Sequence, residues 1–167
     1  MKNRFNIVKI LIFLIIFNNN YNLLPASDIL IDAEKVDIKE KGNLITASGS
    51  VSINDADTVQ INGNLAKYDK LQQTVEINGD VILFDQEKNY KVLSDKLIFN
   101  RNKNIISSYG NTIFIFLDES NDNVIFEVSG ENSFFNQNKK ILEVNKNVVL
   151  KDLLNDYTIY SQKLIYN

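Results

Sequence analysis

Apolar and polar side chains alternate along much of the chain with a period of two, the mark of a strand that buries one face. Ile45, Ala47, Gly49, Val51 and Ile53 fall on one side, and Thr46, Ser48, Ser50 and Ser52 on the other. The arrangement returns with Val75, Ile77, Gly79, Val81 and Leu83 against Thr74, Glu76, Asn78 and Asp80. It returns again with Leu142, Val144, Lys146, Val148 and Leu150 against Glu143, Asn145 and Asn147. A further stretch, Ile106, Ser108, Gly110, Thr112 and Phe114, keeps the parity more loosely. There Ile113 and Ile115 make the second face apolar as well, which suits a strand covered on both sides or used as an interface. After residue 27 no window carries the i, i+3, i+4 spacing of an amphipathic helix, and the only proline, Pro25, lies before the alternating part. The pattern predicts an all-β fold.

The strands belong to a repeat. Ile38, Tyr68, Phe99, Phe135 and Tyr166 recur at intervals of 30, 31, 36 and 31 residues, so a period of about 30 organises the chain. Five positions before each of these anchors stands a small residue: Ala33, Gly63, Ser94, Gly130 and Ser161. Only 22 of 167 residues are Gly, Ala or Ser, so a column of five is not composition alone. Eleven positions after the anchor come Gly49, Gly79 and Gly110, and then Lys146, which breaks the column. Directly after the anchors lie polar, turn-forming segments at residues 39–43, 69–73, 100–104 and 136–140, which read as hairpin loops joining antiparallel strands. The longer interval places an insertion in the polar stretch from Asp118 to Asn123, most simply an extended loop.

Composition narrows the chemistry. The chain contains neither Cys nor His, which removes thiol nucleophiles, the usual zinc ligand sets, disulfides and every Ser-His or Cys-His arrangement. A net charge of -3, with lysines scattered and not clustered, argues against nucleic acid as a partner. The amino terminus has a different character: Lys2, Arg4 and Lys9 precede an unbroken apolar run at residues 10–17. That is the layout of a secretory signal peptide, and the run falls short of the ~20 residues that span a bilayer as a helix. Cleavage after Ala26 or Ser27 would leave one domain at residues 28–167, exported to the periplasm.

A small residue, a large apolar anchor, a polar turn and a strand carrying Gly-x-Val together resemble the repeat of the OstA-like lipopolysaccharide-transport family. The residues that carry the resemblance are Ala33-Glu34-Lys35-Val36 with Ala47-Ser48-Gly49-Ser50-Val51, Ala66-Lys67-Tyr68 with Ile77-Asn78-Gly79-Asp80-Val81, and Ser94-Asp95-Lys96-Leu97 with Gly110. The resemblance implies an open, V-shaped antiparallel β-jellyroll whose apolar groove holds the acyl chains of lipopolysaccharide. It further implies docking to other lipopolysaccharide-transport β-jellyrolls, or to copies of itself end to end, through edge strands, in a bridge toward the outer membrane. Within the family the short leader favours an LptA-like bridge protein over an LptC-like anchored one, and leaves an LptD amino-terminal domain open.

On that basis the groove lining is expected from Ile45, Val51, Ile53, Val75, Ile77, Val81, Leu83, Phe114, Val144 and Val148. The competing reading of the same residues is ordinary core packing. Asp55 with Asp57, and Asp118 with Glu119 and Asp122, carry oxygen ligands of the type calcium takes, but solvated loops are the better reading. Nothing in the sequence brings two carboxylates together in a cleft, and neither an enzyme nor a cofactor is expected. A structural β-solenoid that stacks edge to edge without lipid is the alternative function; it predicts a filled interior.

Overall fold

The computed structural model describes residues 29–55, 58–120 and 122–167. The expected signal peptide at residues 1–27, and Asp57 of the acidic pair, lie outside the described residues.

Among the described residues ten strands follow one another: β1 (Ile29–Asp32), β2 (Lys35–Lys39), β3 (Leu44–Asp55), β4 (Val59–Asp69), β5 (Thr74–Asp85), β6 (Tyr90–Asn100), β7 (Ile105–Leu117), β8 (Val124–Asn136), β9 (Ile141–Asp152) and β10 (Tyr157–Tyr166). All pairings are antiparallel, and each strand from β3 onward lies beside the next. Both β1 and β2 pair with β3, on its carboxyl and amino halves respectively, so together they act as a single interrupted strand. The sheet is open: β10 forms one edge and β1 with β2 the other. The predicted all-β antiparallel fold and all four polar turns after the anchors are present, as is the loop between β7 and β8.

From β3 to β10 every pairing breaks its register at the same level. Gly49-Ser50 on β3 stand opposite Asn64 alone on β4, because Ser48 pairs with Leu65 and Val51 with Gly63. The same two-against-one arrangement sets Gly79-Asp80 against Asp95, Gly110-Asn111 against Glu131, and Lys146-Asn147 against Gln162. A bulge bends its strand, and four in one transverse row fold the sheet along a line into two half-sheets. The first half carries the anchors Tyr68, Phe99 and Phe135, and the second carries Ile53, Leu83 and Phe114. Their inner faces meet in one core that includes Ile61, Ile77, Leu97, Ile106, Leu142 and Val144, all fully buried.

Both residues of each bulge have left-handed backbone. In the second repeat φ is +83° at Gly79 and +49° at Asp80. The break in the sequence column is no break in structure: Lys146 has φ +63° and Asn147 φ +52°, the same conformation with an ordinary side chain. For a residue with a Cβ this conformation costs about 1–2 kcal/mol. The polar residue after each small residue sits across the bulge. At Gly79 an added methyl would stand 2.7 Å from Asn64 Nδ2. At the fourth bulge Glu131 accepts from Lys146 Nζ and Asn147 Nδ2, each at 3.0 Å. That pair is solvent-exposed and recovers little of the strain.

Lys146→Gly is therefore expected to stabilise the protein by about 0.5–1 kcal/mol, and Gly79→Ala to destabilise it by about 1–2 kcal/mol. Urea midpoints of the two variants check this; a loss of stability in the first or a gain in the second would sink the equivalence of the bulges.

Candidate functional site

The ten residues expected to line a groove converge. Ile45, Val75, Ile77 and Val144 project from the first half-sheet, and Val51, Ile53, Val81, Leu83, Phe114 and Val148 from the second. Nine are buried to 2% exposure or less, and Ile45 is half-buried against them. They belong to one buried cluster with next to no exposed surface, so the interior they form is filled. Aromatic rings extend it toward β10: Tyr90 meets Phe135 edge-on at 5.4 Å, Phe116 stacks on Phe126 at 4.3 Å, and Phe126 reaches Tyr166 at 5.2 Å. Phe116, Phe126, Leu150 and Leu164 are only half-buried, so the apolar interior comes to the surface at that end. A small polar seam lies near the bend, where the Ser108 and Ser133 hydroxyls share a 2.6 Å hydrogen bond and Thr112 donates to Ser108 at 3.1 Å.

The strand ends away from the bend form the mouth, with the hairpins of the two half-sheets on opposite rims. A bidentate ion pair crosses it. Arg101, in the turn after β6, donates from Nε and Nη2 to the two carboxylate oxygens of Asp55 at the end of β3, at 2.8 and 2.7 Å. Both side chains are 10% exposed. Arg101 also donates to the Tyr68 hydroxyl at 3.2 Å and to Gln73. The hydrogen bonds to Asp55 raise the guanidinium pKa above its already high ordinary value, so the group is charged throughout the physiological range. Nearby Gln137 donates across the mouth to the Tyr90 hydroxyl. Burial, and then the neighbouring Asp85 carboxylate, push the Tyr90 phenol far up from its ordinary value. An open depression of about 540 Å³ lies at this mouth, with Gln73, Lys88, Arg101, Asn102, Asn104 and Gln137 as its polar donors and Val59 and Phe99 as its apolar lining.

The model of the family described as OstA-like protein matches residues 26–105. That span runs from before β1 to the first residue of β7. The crystal structure of LptH from Pseudomonas aeruginosa, the LptA-homologous periplasmic component of a lipopolysaccharide transport device, superposes with a TM-score of 0.60 at 14% identity. The match covers 71% of this chain and 82% of LptH, and it establishes the fold. No curated protein sequence matches the chain. The bulge geometry of the matched strands continues beyond the matched segment, in β7 to β10.

The mouth leaves no mark on the repeat. In place of the solvated loop position that the sequence suggests, Asp55 is 7% exposed and bound to Arg101. A signal existed, since Arg101 is one of only two arginines, the other being Arg4, and stands in a turn of the kind that elsewhere holds lysine. Asp118 behaves as expected of a loop residue, accepting from the Ser120 amide at 2.8 Å. Among the described residues no three acidic side chains converge as a metal site. Ile113 and Ile115 are half-buried on the outer face of β7.

The raised pKa of Tyr90 ties stability to alkaline pH. Its neutral phenol contributes fully below the unfolded value of about 10, and the contribution is lost as pH rises above that. The urea midpoint is expected to fall between pH 8 and pH 11, and to fall less in Tyr90→Phe. Parallel declines in both proteins would remove Tyr90 as the cause.

Proposed function

We propose that this OstA-like chain is a periplasmic lipopolysaccharide-transport protein that accommodates lipid acyl chains between its two half-sheets. The observation that carries the reading is the interior itself: side chains of Val, Ile, Leu, Phe and Tyr from both half-sheets form one apolar body that no closing strand seals at the β10 end. The sequence match and the LptH fold point the same way. Ile45, Val51, Ile53, Val75, Ile77, Val81, Leu83, Phe114, Val144 and Val148 are the lipid-facing set once the halves part. The role is binding and transfer, not catalysis, consistent with a family of transport components.

Partners of the same β-jellyroll kind dock on the edges. On β10, Tyr157, Ile159, Tyr160 and Ile165 are exposed, and on the opposite edge Leu30, Val36 and Ile38 are. Unpaired strands with apolar side chains invite a further strand. One observation favours the second reading, a structural protein that stacks edge to edge without cargo: the lining is fully packed.

A photo-crosslinking residue decides between them. Placed at Phe116, half-buried on the inner face, it is expected to give lipopolysaccharide adducts in cells making that lipid, and at Ile113, on the outer face, none. Equal labelling at both sites would argue against an interior lipid. No adduct in a folded, exported protein would favour the stacking protein.

A further inference from the structure

Because the interior is filled, a lipid enters only if the half-sheets separate at the mouth. Separation exposes Phe114, Leu83, Ile77 and their neighbours, but an arriving acyl chain covers the same surface. Side-chain contacts are exchanged for acyl contacts at about the same 0.8 kcal/mol per buried CH₂. The apolar part of opening is thus close to balanced. The polar contacts across the mouth are not, because an acyl chain replaces none of them.

The foremost of these is Arg101 with Asp55. The two residues lie 46 positions apart, on opposite rims, and are joined by two charge-assisted hydrogen bonds in a site that is 10% exposed. Separating such a pair in a half-buried mouth breaks both charge-assisted hydrogen bonds where water replaces them poorly, which is strongly unfavourable. A planar guanidinium binds phosphate with the same two-pronged geometry as carboxylate. The depression beside the pair has room for a headgroup of modest size, about 540 Å³. Among the described residues its lining holds Arg101, paired with Asp55, and Lys88, whose Nζ lies 2.9 Å from the buried Asp85 carboxylate. With Asp55 swung out to solvent, the fork of Arg101 faces a lining rich in amide donors from Gln73, Asn102, Asn104 and Gln137.

Building on the lipid-binding role proposed above, we propose that the Arg101–Asp55 pair is a latch on the mouth, and that a phosphate on a lipid headgroup opens it by taking the place of Asp55 on Arg101. Opening and headgroup recognition are then one exchange. A phosphorylated amphiphile loads because it supplies both replacements, an acyl chain for the core and an anion for the guanidinium. An apolar molecule lacking an anion supplies only the first and is held out.

The test uses the purified exported chain with the crosslinker at Phe116, and monitors adduct formation over time. The probes are a bis-phosphorylated lipid A, the same lipid with its phosphates removed, and inorganic phosphate. Wild type is expected to load the phosphorylated lipid at least tenfold faster than the dephosphorylated one. Arg101→Gln should remove that preference, and Arg101→Lys, which keeps the charge but not the fork, should weaken it severalfold. Asp55→Asn should load both lipids severalfold faster. Gly79→Ala, which lowers stability far from the mouth, should load at the wild-type rate. Millimolar inorganic phosphate should not rescue loading of the dephosphorylated lipid, because only a tethered phosphate arrives at the high local concentration that the acyl chain confers.

An undiminished preference in Arg101→Gln, or unchanged rates in Asp55→Asn, would overturn the latch while leaving lipid binding intact. Equal acceleration by Gly79→Ala would reduce the effect to general loosening and overturn it as well. Rescue by inorganic phosphate would overturn the headgroup as the opening ligand. Absence of adducts with either lipid, in every folded variant, would overturn the lipid reading and the latch together.

Discussion

A flat antiparallel sheet of this length has two faces and can cover neither by itself. What resolves the difficulty is the transverse row of bulges, in which two left-handed residues on β3, β5, β7 and β9 stand against one residue on the next strand. Each extra residue bends its own strand, and because the four share one level the bends align into a single crease along which the sheet turns back on itself. The apolar face of each half then becomes the cover for the other. Core, mouth and edges all derive from that line: the core lies within the angle, the hairpins gather at two facing rims, and the terminal strands stay unpaired because the fold never closes.

The line of bulges also explains what could and could not be seen in the sequence. Odd strands were legible because the extra residue preserves parity: Val75 and Ile77 before Gly79 point the same way as Val81 and Leu83 after it. Even strands were not, since parity slips there by one. On β4 the buried residues are Val59 and Ile61 before the bend and Ala66 and Tyr68 after it, a sequence that no strict alternation would mark as one strand. The slip was nevertheless recorded in the odd spacing of five between small residue and anchor. Lys146 shows the limit of reading columns by residue type. The backbone requirement there is a positive φ, which glycine meets without strain but lysine also meets when the fold imposes it.

The mouth was illegible for a different reason. Asp55 ends β3 and Arg101 lies in the turn after β6, and nothing local distinguishes a carboxylate that will face water from one that will face a guanidinium across a fold. Their proximity is a property of the angle between the half-sheets. The same holds for the packing of the lining: alternation tells which residues point inward, while the distance between the two inner faces decides whether they meet. Here they meet, with Tyr90, Phe114 and Phe135 in ring contact.

One property of the repeat concerns size. Each repeat contributes one strand with the extra residue and one without, so each adds two strand widths, about 10 Å, to the length of the fold line while leaving the angle unchanged. A chain built this way can be lengthened or shortened in whole hairpins without redesigning its core, because every new pair brings its own bend, its own small residue beneath the bend and its own share of the rim. The length of the enclosed space is therefore a counted quantity, set by how many times the unit is repeated, while its width is fixed once by the geometry of a single bulge.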